Sequence, residues 1–413
     1  MYKYVFRFFV VLTSTVLIVI SLNCSSTNNS DDDATPKTET NPPLEKEKAI
    51  TIPGAYFNDP IEIKNNGVSY KIIDNLISCI NATPKEGIIH MNVYEFEYSP
   101  VAEALKKAAQ RGVHLNIMID SSKIESWEHN APIVKELKKH IKEPSKLVLV
   151  HNDIAERAIN HHKYVLFSEL SFQNRDFQNV VFSTSSNFSQ RQFEVLQDAI
   201  VVSDIELYSA FVNNWKEMES RTPTGMKSYD LAEYHSSNGK VEAYFYPRRK
   251  NGVWDGRETI IEILESLEEA NYKNDTIKIG MAQWSSGDLQ MAIVNKLIDI
   301  SKKGGHVEVI TRDETSSIGL SPESIEKLKE LEKTGAYVKF LPNKNVIHSK
   351  YMMIKGVFAG KKRRLLLTGT LNFINSETKF NNNLVLIFND DPYPLDFFNE
   401  YEKHYEDIKG AFF

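Results

Sequence analysis

Two stretches of this chain set an imidazole and an ammonium at a spacing that lets both meet one anion. The first is His161-His162-Lys163-Tyr164-Val165-Leu166-Phe167, followed downstream by Ser183-Thr184-Ser185-Ser186-Asn187-Phe188. In a β-strand, residues two apart face the same way. His161 and Lys163 would project together, and so would Ser185 and Asn187. The second stretch is His348-Ser349-Lys350-Tyr351-Met352-Met353-Ile354, followed by Thr368-Gly369-Thr370-Leu371-Asn372-Phe373. It pairs His348 with Lys350 and Thr370 with Asn372 in the same manner. A lone His-x-Lys arises often by chance. Two of them, each trailed by an apolar run and a hydroxyl-x-Asn-Phe, form a pattern.

The elements around these stretches recur in the same order. In the first half, Tyr70 to Ile80 has apolar residues at helical spacing, with Cys79 as a small buried member. Ile88 to Tyr94 reads as a buried strand. Ser99-Pro100 opens a helix that Arg111-Gly112 ends. Val113 to Asp120 and Leu147 to Val150 are strands, and Asp204 to Trp215 is an amphipathic helix. This β-α-β order implies a parallel sheet. In the second half, Thr259 to Leu267 and Leu289 to Ser301 read as helices. Thr276 to Ala282, His306 to Ile310 and Val338 to Leu341 read as strands. Gly112 and Gly304 differ by 192 residues (304 − 112), and His161 and His348 by 187 (348 − 161). Near-equal offsets for separate landmarks argue for an internal duplication. His90 and His114 read as core or strand-end residues, and Trp284 as core or pocket mouth.

The 413 residues hold ample core for a duplicated unit. A net charge of −6 provides no global basic field for nucleic acid. Two cysteines, Cys24 and Cys79, make no disulfide framework. Residues 1–24 read as a signal segment: Lys3 and Arg7 precede a short apolar run, and Cys24 stands where a lipoprotein signal places its lipidated residue. Residues 25–48 are polar and Pro-containing, a disordered tether. The two halves are then 49–232 and 233–413, joined near 220–239. The basic run Lys361-Lys362-Arg363-Arg364 reads as a solvated hairpin tip, or else as a contact for anionic headgroups.

The paired His-x-Lys segments with their hydroxyl-x-Asn followers resemble the phospholipase D superfamily, the HKD family, over about residues 60–405. The resemblance implies an α/β fold: a duplicated α/β/α sandwich, two mixed or parallel sheets packed about a pseudo-twofold axis, with one motif from each half at a single central site. It implies phosphodiester cleavage without cofactor or metal. A family Asp is replaced by Ser168 and Lys355, and a family Gly by Thr184. A family Glu that hydrogen-bonds the histidine falls on Asp198 in the first half and on Asn383 in the second. The catalytic set expected is therefore His161, His348, Lys163, Lys350 and Asp198, with Ser185, Asn187, Thr370 and Asn372 on the substrate phosphate. His161, backed by Asp198, is expected to attack phosphorus and His348 to act as the acid, with the reverse assignment open.

The substrate expected is a phospholipid, hydrolysed to phosphatidate by an exported monomer held at a membrane surface through lipidated Cys24. A nuclease of the same superfamily, a cardiolipin-synthase-like transferase and a non-catalytic surface binder are the alternatives.

Overall fold

The computed structural model describes residue 47 and residues 49–285, 287–313, 319–342, 347–389 and 395–413. Cys24, the signal segment and nearly all of the tether lie outside the described residues.

Strand β1 (Gly54–Phe57) and helices α1 (Pro60–Asn66) and α2 (Lys71–Ala82) lead into β2 (Ile88–Val93). Helix α3 (Ser99–Arg111), β3 (His114–Asp120), α4 (Ile124–Leu137) and β4 (Lys146–Val150) follow. Then come β5 (Lys163–Ser171), β6 (Asp176–Thr184), β7 (Asp198–Ser203) and α5 (Ile205–Arg221). The strands form one seven-stranded sheet in the order β1-β7-β6-β5-β2-β3-β4. Strands β2, β3 and β4 run parallel, and the rest pair antiparallel.

The second half opens with β8 (Ala232–His235), β9 (Val241–Phe245) and a small hairpin of β10 (Arg249–Lys250) and β11 (Val253–Trp254). Helix α6 (Thr259–Glu265), β12 (Thr276–Met281), α7 (Asp288–Lys302), β13 (His306–Thr311), α8 (Pro322–Glu332) and β14 (Tyr337–Phe340) come next. The chain continues through β15 (Lys350–Phe358), β16 (Lys361–Gly369), α9 (Asn375–Lys379), β17 (Leu384–Asn389) and α10 (Phe397–Phe412). Its sheet runs β14-β13-β12-β15-β16-β17-β9-β8, with β12, β13 and β14 parallel. The two sheets thus repeat one order, from the parallel edge through the His-x-Lys strand to the antiparallel edge. Fold class and duplication follow the expectation.

The echo around the glycines has a local cause. Gly112 and Gly304 both close a helix in the left-handed region, at φ 91° and 94°. A residue without Cβ adopts that conformation at little cost.

Each half has its own apolar core, built on α2 and α3 in the first and on α7 in the second. A third cluster joins them, with Tyr164, Phe211 and Trp215 from one half and Phe245, Tyr351 and Tyr401 from the other. Phe211 is fully buried and meets Tyr164 and Phe245 edge-on, with ring centroids 4.9 and 5.1 Å away. Truncating such a ring costs roughly 3–5 kcal/mol. The sequence reading passed over β1, α1, α4, β7, β8, β9, β10, β11, α8, α9, β17 and α10. Helix α4 carries Pro132 inside it, and its apolar residues do not hold an unbroken stripe.

Candidate functional site

Strands β5 and β15 begin at Lys163 and Lys350. The histidines sit two residues earlier, outside the ladders that the sequence assigned them to. What holds them there is the opposite half. The backbone N–H of His161 donates to the Asn382 carbonyl at 2.8 Å, and that of His348 to the Leu196 carbonyl at 2.8 Å. One residue on, the side chains of Asn383 and Gln197 reach the imidazoles. Asn383 Oδ1 lies 2.9 Å from His161 Nδ1. The Gln197 amide nitrogen and oxygen lie 3.1 and 3.2 Å from His348 Nδ1. Each histidine is therefore clamped twice across the junction between halves.

The hydroxyls expected on the phosphate brace these amides instead. Ser185 Oγ donates to Gln197 Oε1 at 2.7 Å, and Thr370 Oγ1 to Asn383 Oδ1 at 3.0 Å. Both residues are fully buried. Asn187 and Asn372 do line the cleft with His161 and His348. Asn187 Nδ2 donates to Glu95 Oε2 and Asn372 Nδ2 to Glu377 Oε1, each at 3.3 Å. The cleft holds about 760 Å³, within the usual range for small-molecule sites.

Asp198 does not stand behind His161. It is the first residue of β7, and Oδ2 accepts from Thr368 Oγ1 at 2.6 Å and Tyr401 O–H at 2.8 Å in the joining core. The carboxylate beside His161 belongs to Glu377 on α9, with Oε2 3.3 Å from Nδ1. Sequence reasoning missed it, although Asn372 to Glu377 repeats the spacing of Asn187 to Gln192. Gln192 Oε1 accepts from Gln197 Nε2 at 2.5 Å. One histidine thus has an acid nearby, and the other has amides.

That difference fixes a tautomer. Asn383 Nδ2 donates to the Glu377 carbonyl at 3.0 Å and to Glu377 Oε2, so its oxygen faces the imidazole. Both groups facing His161 Nδ1 are acceptors. That nitrogen carries the proton, and Nε2 keeps its lone pair. His348 Nδ1 has Lys350 Nζ at 3.0 Å as well as the amide.

Lys163 and Lys350 are buried beside their histidines. Lys163 Nζ donates to the His161 carbonyl at 3.0 Å, and Lys350 Nζ donates to the His348 carbonyl. Burial lowers the Lys163 ammonium to about 7, against the pull of Glu377, Glu95 and Asp120. Burial and the Lys163 and Arg312 charges push Lys350 well below its ordinary value. Burial also lowers both imidazoles. Lys163 adds to the effect at His161 while Glu377 opposes it, and Lys350 and Arg312 add to it at His348. Burial tends to raise Glu377, but His161, Asn383 and Asn372 hold it at about 2.

The missing family aspartates are structurally absorbed. Ser168 Oγ accepts from the Ile88 N–H at 2.8 Å. Lys355 pairs with Glu402 at 2.9 Å and lies over the Phe398 ring. Among the described residues no cluster of three or more His, Cys, Asp or Glu is arranged to hold a metal, and no helix is long and apolar enough to cross a membrane.

A family model described as "Cardiolipin synthase, PLD-like domain" matches twice, at residues 76–218 and 263–409. A search of curated protein sequences returned no significant match. Among solved structures, phosphatidylserine synthase from Haemophilus influenzae Rd KW20 is similar at a TM-score of 0.60 and 13% identity, covering 89% of each chain. Polyphosphate kinase from Porphyromonas gingivalis is similar at a TM-score of 0.52 and 12% identity. That match covers 86% of this chain, which spans about half (49%) of the kinase. At these identities the likeness is one of fold.

Proposed function

Because this chain belongs to the phospholipase D superfamily of phosphodiesterases and transferases, we propose that its central cleft cleaves a phospholipid phosphodiester through a phospho-His161 intermediate. The observation that carries this reading is the reciprocal clamp, which brings both histidines and both cleft asparagines around one space, with Lys163 and Lys350 buried beside the histidines. A phosphodiester is an anion that water attacks poorly. Lys163 and Lys350 offset its charge, and Asn187 and Asn372 orient it.

In the first step His161 Nε2 forms the P–N bond while the P–O bond to the leaving alcohol breaks. The leaving oxygen takes a proton from His348. The bound phosphate draws that proton onto His348, because its negative charge opposes the cations that otherwise keep the ring neutral. In the second step His348 takes a proton from water, which attacks phosphorus and releases His161. Glu377, beside Nδ1, stabilises the positive charge that the ring gains on phosphorylation. An alcohol in place of water would give transfer rather than hydrolysis.

The lipid reading draws on the cardiolipin-synthase description of the family model and on the phosphatidylserine synthase likeness. It also draws on the lipoprotein-like N-terminus expected from the sequence, which would hold the protein at a cell-envelope membrane.

The test is turnover of phosphatidylcholine and phosphatidylglycerol vesicles and of plasmid DNA, in EDTA, by wild type, His161→Ala and His348→Ala. Lipid cleavage that survives chelation and is lost in both variants is expected, with the phosphatidyl group trapped on His161 of the wild type. Cleavage of DNA alone would replace lipid with nucleic acid. Lipid turnover unchanged in both variants would overturn the site.

A further inference from the structure

The duplication separates what a phosphodiester needs from what one particular substrate needs. Groups present in both halves serve the shared phosphate. Groups present in one half distinguish its two ester arms. The strand registers make the comparison explicit. Ile88 pairs with His114 in the first half as Thr276 pairs with His306 in the second. Counting forward from those pairs, Tyr94 matches Ala282, Glu95 matches Gln283, and Asp120 matches Arg312.

The last of these is a reversal of charge. Asp120 is fully buried and turned into the fold, where it accepts from Ser122 Oγ at 2.6 Å, Ser126 Oγ at 3.2 Å and the Asn160 N–H at 2.8 Å. Arg312, directly after β13, lines the cleft with Gln283 and His348 and is only 4% exposed. The guanidinium is close enough to act on the charges of both His348 and Lys350. Facing it, the His161 side presents the Tyr94 ring, 5.4 Å from the imidazole, and the Glu95 carboxylate. The first half also sends Lys123, Arg157 and Arg191 to the cleft, with Arg191 paired to Glu95 at 2.7 Å, while the second half sends Arg312, buried on the His348 side.

An in-line displacement by His161 sends the leaving alcohol toward His348. Resting on the phosphodiester reading above, we propose that this alcohol carries a second anionic group, a phosphate or a carboxylate, held by Arg312. The pair of lysines meets the single charge of the diester, and the guanidinium meets the additional one. A planar fork of donors suits either anion. The substrates favoured are then phospholipids with an acidic headgroup over the choline ester.

The experiment compares kcat/KM for wild type, Arg312→Gln and Arg312→Lys on dihexanoyl lipids below their micelle concentration. The headgroups are glycerol phosphate, serine and choline, and bis(4-nitrophenyl) phosphate is the reference diester. Thymidine dinucleotides with and without a phosphate on the leaving nucleoside form a second series. Arg312→Gln should lose roughly 10- to 100-fold on substrates with an anionic leaving group and less than about threefold on the others. Arg312→Lys should recover part of the loss. The series that shows the effect identifies the source of the anion, headgroup or nucleotide. The larger loss between glycerol phosphate and serine identifies phosphate or carboxylate. An equal loss on every substrate, or none, overturns the role of Arg312 and leaves the phosphodiesterase reading standing. Wild type inactive on every diester, the reference included, would sink that reading and this inference with it.

Discussion

Replacing Glu377 with Gln keeps the shape of the side chain and removes one charge, 3.3 Å from His161 Nδ1. In the proposed mechanism, the attack of Nε2 on phosphorus makes the ring positive. At that separation, with an effective dielectric near 20, a full charge pair is worth about 5 kcal/mol; half of that charge in the transition state leaves about 2.5, or roughly 70-fold in rate. The amide can still accept from Asn372 or Asn383, so the fold should hold and the unfolding midpoint should move little. The assay is quench-flow with bis(4-nitrophenyl) phosphate, reading the burst of the first nitrophenolate. The burst rate should fall about 30- to 100-fold, with KM within about threefold, since the carboxylate acts on the transition state rather than on the bound diester. Adding Gln192→Glu should move part of the trapped phosphate onto His348, which then gains the acid that His161 lost. A burst rate within threefold of wild type, or a loss confined to KM, would refute the argument.

Asp198→Asn should cost stability, roughly 1–3 kcal/mol by denaturant unfolding, through its bonds to Thr368 and Tyr401, while leaving the burst rate within a few-fold of wild type. A loss comparable to that of Glu377→Gln would return Asp198 to the back of His161. Lys163 has a folded value of about 7 against an ordinary 10.5. Between those values the unfolded chain holds more protons, so its contribution to ligand-free stability rises with pH, by up to ~1.4 kcal/mol per unit. Lys163→Met should remove that rise when unfolding is compared at pH 7.5 and 9.5. In wild type, KM should climb over the same range as the cation is lost. The basic run 361–364 lies toward the far end of the β15–β16 hairpin from Lys350, with Lys361 about 26 Å along the strand. Lys361→Ala with Lys362→Ala should leave turnover of the soluble diester unchanged, and a loss above threefold would place that run nearer the site than β15 allows.

The residues that gather at the cleft were legible because they recur. His161, Lys163, His348, Lys350 and the two cleft asparagines stand at matching positions in the two copies, the histidines and asparagines just outside the strands rather than within them. The partners of the histidines were legible only in part. Equal spacing from the hydroxyls pointed to Asp198 and Asn383, and Asn383 does reach His161. In the first half the bonded amide is one residue earlier, at Gln197. The connections differ there: a 3-10 turn at Gln190–Glu194 replaces the α-helix at Asn375–Lys379. The 3-10 form rises ~2.0 Å per residue instead of ~1.5 Å, so it spans a similar gap with a shorter chain. One residue is dropped, and a count that assumes equal loops slips by one. Glu377 lay on that same short helix, whose five residues carry no periodic signal. Nothing in the local sequence said that each histidine would be held from the other half.

That mutual hold has a consequence for how such a chain can change. The junction is isologous: a segment ahead of β5 grips the segment ahead of β17, and the segment ahead of β15 grips the segment ahead of β7. A patch that is its own complement could be satisfied by two identical units as a twofold dimer. Identical units must carry any substitution twice, on both sides of the phosphate. Joined in one polypeptide, the two copies can drift apart while the contact between them is kept. Glu377 opposite Gln192 and Arg312 opposite Asp120 are differences of that kind, open to a fused chain and closed to a symmetric pair. On the proposed mechanism, covalent linkage thereby gives one phosphate two unlike neighbours, and with them a direction in which the reaction runs.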